Sequence, residues 1–209
     1  MLVVLIVCVA ILFGGAWFYQ KSAPSNNLST NQEALVREDS LKVVAPHEKV
    51  VVVEFADYQC PACAYIAPKV KELRDTYKDS VTFVYRNFPL KTIHPNSMIS
   101  AQMARIAGEQ GKLWEMHEKL YANQTEWEGL SDPTNIFISY AEQIGLVTSS
   151  IKEKLSSGVY VDKINADLKD GELVGVNSTP TFFVGDKIIR SADYNALKKA
   201  IDDAISASK

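Results

Sequence analysis

The chain has 209 residues, enough for one domain with a well-buried core plus a short attachment, and too few for two full-sized domains. Lys and Arg number 22 against 25 Asp and Glu, giving a net charge of -3 and a pI near 5.7, and no local basic patch stands out, so nucleic acid is not an expected partner. Apolar residues at 47% and charged residues at 22% fit a globular chain and exclude a wholly disordered, collagen-like or many-span membrane protein; three cysteines are too few for a disulfide-stapled scaffold.

Residues 1–19 carry no charge and are almost continuously apolar. As a helix rising about 1.5 Å per residue, this run roughly matches the hydrocarbon layer, with Trp17 and Tyr19 placed as interfacial anchors. It reads as an uncleaved single transmembrane anchor. A cleaved signal peptide competes, because Gly14-Gly15-Ala16 supplies the small residues a peptidase needs. No Lys or Arg precedes the run and Lys21 follows it, which by the positive-inside rule mildly opposes an extracytoplasmic domain; a native start upstream carrying basic residues would resolve the conflict. Residues 20–40 are rich in Ser, Asn, Thr and Gln, too polar to repay ordering, and read as a flexible tether with a reach of about 25 Å. The folded part is expected to begin near Leu41.

Lys49 to Phe55 is a β-branched run without alternation, the pattern of a strand buried on both faces, interrupted by Glu54. From Cys60 to Tyr77 the apolar residues Ile66, Val70, Leu73 and Tyr77 fall at helical spacing, and Val81 to Tyr85 reads as a second strand. Between about Pro95 and Asp170 the pattern is helical throughout: Ile99, Met103 and Ile106; Leu113, Met116 and Leu120; Phe137, Tyr140 and Ile144; then shorter pieces near Ile151 and Leu155 and near Ile164 and Leu168. Asp132-Pro133 predicts a helix start and Gly145 its stop. Thr181–Val184 and Lys187–Ile189, split by Gly185-Asp186, predict a hairpin. A final helix from Tyr194 to Ile205 follows, capped by Asp193. The order is β, α, β, helical insertion, β, β, α, with 41–92 and 171–209 as the sheet-bearing core of a 41–209 domain and 93–170 as its insertion.

Chemistry concentrates at Cys60-Pro61-Ala62-Cys63, after the buried strand and at the mouth of the helix. Free amides and the positive end of the helix dipole favour a thiolate on Cys60, while Cys63 lies one turn in and can close a disulfide. Two cysteines at this spacing can also be half of a zinc site, but Cys8 lies in the apolar run and His47, His94 and His117 show no paired spacing, so no metal is expected. A purely structural disulfide would constrain the unfolded chain little across so short a ring. Trp114, His117 and Tyr121 read as helix packing and His94 as a loop residue. Asn27, Asn123 and Asn177 are glycosylation acceptors only in a eukaryotic secretory route.

The phrase Val53-Glu-Phe-Ala-Asp-Tyr-Gln-Cys-Pro-Ala-Cys63, together with Gly175-Val-Asn-Ser-Thr-Pro-Thr-Phe-Phe-Val-Gly185, resembles the two signature segments of the DsbA-like thiol:disulfide oxidoreductases of the thioredoxin superfamily. The resemblance covers about residues 41–207. It implies a thioredoxin-like α/β fold with an inserted helical domain. It also implies a cis Pro180, with Thr179 beside the cysteines and its backbone pairing with an extended substrate peptide. Without it, Thr179-Pro180 is an ordinary turn. Glu54 matches the family's buried acid beneath the active site, where a raised pKa lets it trade protons with Cys63; the alternative is an acid at a strand end reaching solvent.

The expected activity is a dithiol oxidase that needs no cofactor beyond the Cys60–Cys63 disulfide, acting as a monomer on unfolded exported proteins with free thiols in the periplasm or at the cell surface. A quinone-linked membrane partner would reoxidise it. Pro61-Ala62 carries no basic residue to deepen the thiolate well, so a less extreme potential than that of the strongest oxidants is expected. A membrane-tethered reductase or isomerase is the rival enzyme, and a non-enzymatic peptide-binding module the rival from another class.

Overall fold

The computed structural model describes residues 34–185 and 187–208; the expected anchor at 1–19 and most of the expected tether lie outside the described residues. Among the described residues, no helix is long and apolar enough to cross a membrane.

Five strands, β1 (Leu41–Val43), β2 (Val50–Ala56), β3 (Val81–Asn87), β4 (Thr181–Val184) and β5 (Lys187–Ile189), form one sheet in the order β1-β3-β2-β4-β5. The central pair β2 and β3 is parallel, with Glu54 opposite Tyr85 and Phe55 opposite Arg86; the other pairings are antiparallel. Helix α1 (Pro61–Thr76) connects β2 to β3. The insertion supplies α2 (Ser97–Glu109), α3 (Leu113–Ala122), α4 (Gln124–Trp127), α5 (Thr134–Gln143), α6 (Ile151–Ser157) and α7 (Val161–Leu173), and α8 (Tyr194–Ala207) closes the chain.

The alternation of side chains along a strand divides the core. On one face Val52, Phe83 and Phe182 pack with Ile66 and Leu73 of α1 and Leu197 and Ile201 of α8. On the other, Val53, Phe55, Val84 and Phe183 pack with Phe88 and Val176, with Leu168 of α7 against them. Both faces of β2 and β3 are buried, which is why their sequences do not alternate. A third cluster joins Tyr58, Cys63 and Tyr85 to the helical insertion through Met103, Met116 and Trp127. Pro68 lies inside α1 and leaves the carbonyl of Ala64 without its helical donor.

The domain opens earlier than composition suggests. The expected tether ran through Ser40, yet Ala34 and Ser40 are buried, because Arg86, wholly buried on β3, donates to the carbonyls of Ala34 and Leu35 at 2.8 Å each. A long-range guanidinium clamp of this kind leaves no mark in local composition. Helix α7 also runs to Leu173, past the expected boundary at 170, and its Gly171 sits where a Cβ would come within 2.7 Å of Phe88.

Candidate active site

Cys60 is the residue before α1, with extended backbone (φ -74, ψ 121), and Pro61 takes the first helical position, where its missing N–H costs nothing. The approach is held from several sides. The Asp57 carboxylate accepts from the backbone N–H of Gln59 at 2.8 Å and of Leu90 at 2.9 Å, and lies 2.8 Å from His94 Nδ1. Gln59 donates to the carbonyl of Glu128 and accepts from the N–H of Asn96. Gln124 donates to the carbonyls of Tyr58 at 2.7 Å and Cys60 at 3.1 Å. The insertion thus fixes the two-cysteine turn from above while the sheet fixes it from below.

Both cysteines are free thiols in the structure, Cys60 7% and Cys63 0% exposed. The Cys60 thiol is brought down to about 5. The Cys63 thiol donating to its sulfur is the largest cause, burial opposes, and the Thr179 hydroxyl and the N–H groups of Cys63 and Ala62 add to the lowering. That hydroxyl is buried with no hydrogen-bond partner among the described residues. The Cys63 thiol is pushed well up by burial first, then by its bond to Cys60 and by the charges of Cys60 and Glu54. The helix-mouth amides that sequence reasoning emphasised do contribute, but after the neighbouring thiol.

Thr179 and Pro180 come from the other end of the chain. Their peptide is cis, and the Cys60 thiol donates to the Thr179 carbonyl at 3.4 Å. Thr181, fully buried, turns its hydroxyl back to the Ser178 carbonyl at 2.8 Å, which fixes the loop as it enters β4.

Over residues 44–203 the sequence matches the family model described as thioredoxin. This chain belongs to the thioredoxin family. A thioredoxin-like oxidoreductase from Silicibacter pomeroyi superposes with a TM-score of 0.69 at 26% identity, covering 84% of this chain and 98% of that one. The thiol-disulfide exchange protein alpha-DsbA2 from Wolbachia pipientis shares the fold, with a TM-score of 0.70 at 22% identity and coverages of 84% and 92%. The fold of this thioredoxin-family chain is that of the DsbA-like thiol-disulfide oxidoreductases. A protein from Salinispora tropica named Na(+)/H(+) antiporter NhaA 3 is 36% identical over 177 residues, which is 83% of this chain but 26% of that relative. The chain therefore spans about a quarter of the length of the curated relatives it matches.

In this thioredoxin-family domain Glu54 lies within the sheet, not at an exposed strand end. It is 7% exposed, and burial raises its carboxyl to about 8, the Arg74 charge pulling the other way. Tyr58, Tyr85 and Tyr121 surround the space between Glu54 and α3. The hydroxyls of Tyr85 and Tyr121 are 3.1 Å apart, and Tyr58 reaches His117 Nδ1 at 3.1 Å. His117 packs edge-on against all three rings, and burial holds it neutral by lowering it to about 3. Trp114 stacks with Arg74 at 4.4 Å. Asp57, Gln59 and Gln124 escaped the sequence reading. Asp57 could have been found as a turn-forming acid bonding two residues ahead, just before the cysteines; the contacts of Gln59 and Gln124 span 37 to 69 residues and have no local signature. Among the described residues, no cluster of metal-ligating side chains occurs.

Proposed function

We propose that this domain is a protein thiol:disulfide oxidoreductase working chiefly as a dithiol oxidase outside the cytoplasm. The observation that carries the reading is the pairing of a buried sulfur at the helix mouth lowered to about 5 with a fully buried sulfur raised well above the ordinary thiol range. A stable Cys60 thiolate favours the reduced form and makes Cys60 a good leaving group, which drives donation of the disulfide. A substrate thiolate attacks Cys60 of the oxidised pair, the Cys60–Cys63 bond breaks, and Cys63 leaves and takes a proton. A second substrate thiolate then attacks the substrate sulfur of the mixed disulfide, Cys60 departs as thiolate, and the substrate disulfide is complete. The backbone beside Thr179–Pro180 would hold the substrate as an extended strand.

Oxidised product leaves a reduced enzyme, so an electron acceptor is required. A quinone-linked membrane partner fits a chain in which residues 1–19, ahead of the domain, read as an anchor. A reductase is the second reading, favoured by one observation: the exposed Pro61-Ala62 pair brings no cation to the thiolate. A redox titration against glutathione separates the two, with an oxidase expected nearer -120 mV and a reductase nearer -270 mV, about the values typical of DsbA and thioredoxin. A Cys63→Ser variant is expected to accumulate mixed disulfides with exported proteins through Cys60; none forming would leave only a peptide-binding role.

A further inference from the structure

Cys60 owes its place to a residue of the insertion as well as to its own helix. The residue before a proline is confined to extended backbone, as the angles of Cys60 show. No side-chain hydrogen bond caps α1, so the N–H groups of Ala62 and Cys63 at the helix mouth are left to act on the Cys60 sulfur. They do so only while the Cys60 backbone keeps its orientation. Its N–H donates to the Asp57 carbonyl at 3.0 Å, and its carbonyl accepts from the Ala64 N–H at 3.1 Å. The remaining hold is Gln124, at the start of α4. Through one nitrogen this buried side chain donates to the Tyr58 carbonyl at 2.7 Å and to the Cys60 carbonyl at 3.1 Å, a staple across the turn. Among the described residues it is the sole donor to the Tyr58 carbonyl. Two other amide side chains join the insertion to this turn in a different way. Asn96 Nδ2 donates to the carbonyls of Trp127, Glu128 and Leu130 at 3.2, 3.3 and 2.8 Å, and Gln59 bridges Glu128 and the Asn96 N–H. Those bonds tie loops together, and none reaches the Cys60 peptide.

We propose that Gln124 is a positioning residue for the thiol–disulfide chemistry: by bridging the Tyr58 and Cys60 carbonyls it lets the insertion hold the Cys60 sulfur onto the α1 amides and the Thr179 carbonyl, and so sets how strongly the domain oxidises. This rests on the oxidoreductase reading. The Pro61-Ala62 pair brings no cation to the sulfur, so its tuning falls to neutral donors, and these act only at the right angle and distance. The groups that lower Cys60 are the Cys63 thiol, Thr179 and the two helix-mouth amides. Each depends on where the Cys60 backbone points the sulfur. The Gln124 donor also offsets the negative end of the carbonyl dipole on the residue that carries the thiolate. Without it the Tyr58 carbonyl is left unanswered, and the turn must shift to reach another donor or water. A thiolate held less well makes the reduced form less stable and the disulfide a weaker oxidant.

The test uses the full chain, with thiolate absorbance to follow Cys60 and oxidised and reduced glutathione to set the redox equilibrium. Gln124→Met keeps the length and removes the donor. It is expected to raise the Cys60 titration by about one pH unit and to move the equilibrium about tenfold toward the disulfide form, about 30 mV. Gln124→Lys, which returns a donor of similar reach, should bring the titration back to the parental value or below it. Asn96→Ala, which breaks the loop bonds alone, should lower stability in denaturant unfolding and leave the Cys60 titration parental. A parental titration in Gln124→Met, no recovery in Gln124→Lys, or an equal shift in Asn96→Ala overturns the proposal. Should Gln124→Met not fold, the parent decides: its Gln124 side-chain amide signals in NMR should move as Cys60 titrates, and signals blind to that titration overturn the proposal. A parent chain that exchanges no disulfide with glutathione would instead sink the oxidoreductase reading, with the Cys60 titration in Gln124→Met still deciding whether Gln124 acts on this sulfur.

Discussion

Glu54 and Arg86 occupy neighbouring registers of the same two strands, yet they face opposite sides of the sheet and are built on opposite principles. Arg86, with no exposed surface, is fully answered: its Nε donates to Asp167 at 2.8 Å, its Nη2 to Asp170 at 2.7 Å and its Nη1 to two backbone carbonyls. Asp167 also receives Arg105 and the side-chain amide of Asn87, each at 2.8 Å. Among the described residues Glu54 has no such partner; the Arg74 charge alone offsets its burial. A buried charge with every bond satisfied holds chain segments together, whereas a buried carboxyl left unanswered stays ready to change its protonation. The paired centre joins residues 34–37, β3, α2 and α7; the unpaired one lies beneath the cysteines.

The largest effect should come from breaking the paired centre. Asp167→Ala leaves Arg86 and Arg105 buried without their shared acceptor and is expected to cost about 3–5 kcal/mol in denaturant unfolding. A loss under 1 kcal/mol would show that the two centres do not differ as described.

Glu54→Gln should act with the opposite sign. The folded-state pKa of Glu54 is raised to about 8 from an ordinary 4.5, so the stability linked to its neutral form is full below about pH 4.5 and is lost as pH rises through 8. Removing the titration should make the variant more stable than the parent at pH 9, by a few kcal/mol at most, with little difference at pH 4. Turnover at neutral pH should fall by about 10²-fold or more if the carboxyl supplies the proton to Cys63. Parental kinetics would remove Glu54 from the mechanism and leave it a tolerated defect.

The cysteines sharpen the same contrast. Between pH 5 and neutrality, reduction takes up the one proton that Cys63 holds, so the potential should fall by about 30 mV per pH unit; below pH 5 Cys60 also takes one and the slope should double. A single slope throughout would mean that Cys60 is not set apart from its neighbour. For the reduced protein, the stability contributed by a lowered Cys60 is present above the ordinary thiol range and fades as pH falls toward 5. The smallest effect concerns packing beside the paired centre: Gly171→Ala forces a Cβ against Phe88 and Phe55 and should cost about 1–3 kcal/mol while leaving the pH dependence of the potential untouched.

The parts legible in the sequence are those whose cause is local. β2 announces itself by its β-branched run Val50–Val53 and β3 by the apolar, strand-favouring residues of Val81–Tyr85. α8 does so by the spacing of Leu197 and Ile201 and by Asp193, which accepts from the N–H groups of Asn195 and Ala196 as a cap. The stop at Gly145 has the positive φ of 77° that a glycine there permits. Asp132 accepts from Thr134, although the helix begins one residue later than the Asp-Pro pair suggests. β1 and α4 are too short to carry a period and were not foreseen. The cysteines, Glu54 and the Thr179–Pro180 loop could be named from spacing and resemblance. What could not be read was how strongly each sulfur is tuned, because that depends on a hydrogen bond between the two thiols and on Thr179, which comes from more than a hundred residues away. The ordered stretch from Ala34 escaped for the same reason, since Arg86 is 52 positions away from it.

Pro68 divides α1 into two lengths. Upstream of it lie both sulfurs; downstream lie Val70, Leu73 and Arg74, locked into the core and onto α3. With no amide hydrogen at position 68, the helical ladder is interrupted between the halves. Deuterium should therefore enter the first two turns of α1 sooner than the last two, because one rung of the ladder that would tie them together is missing.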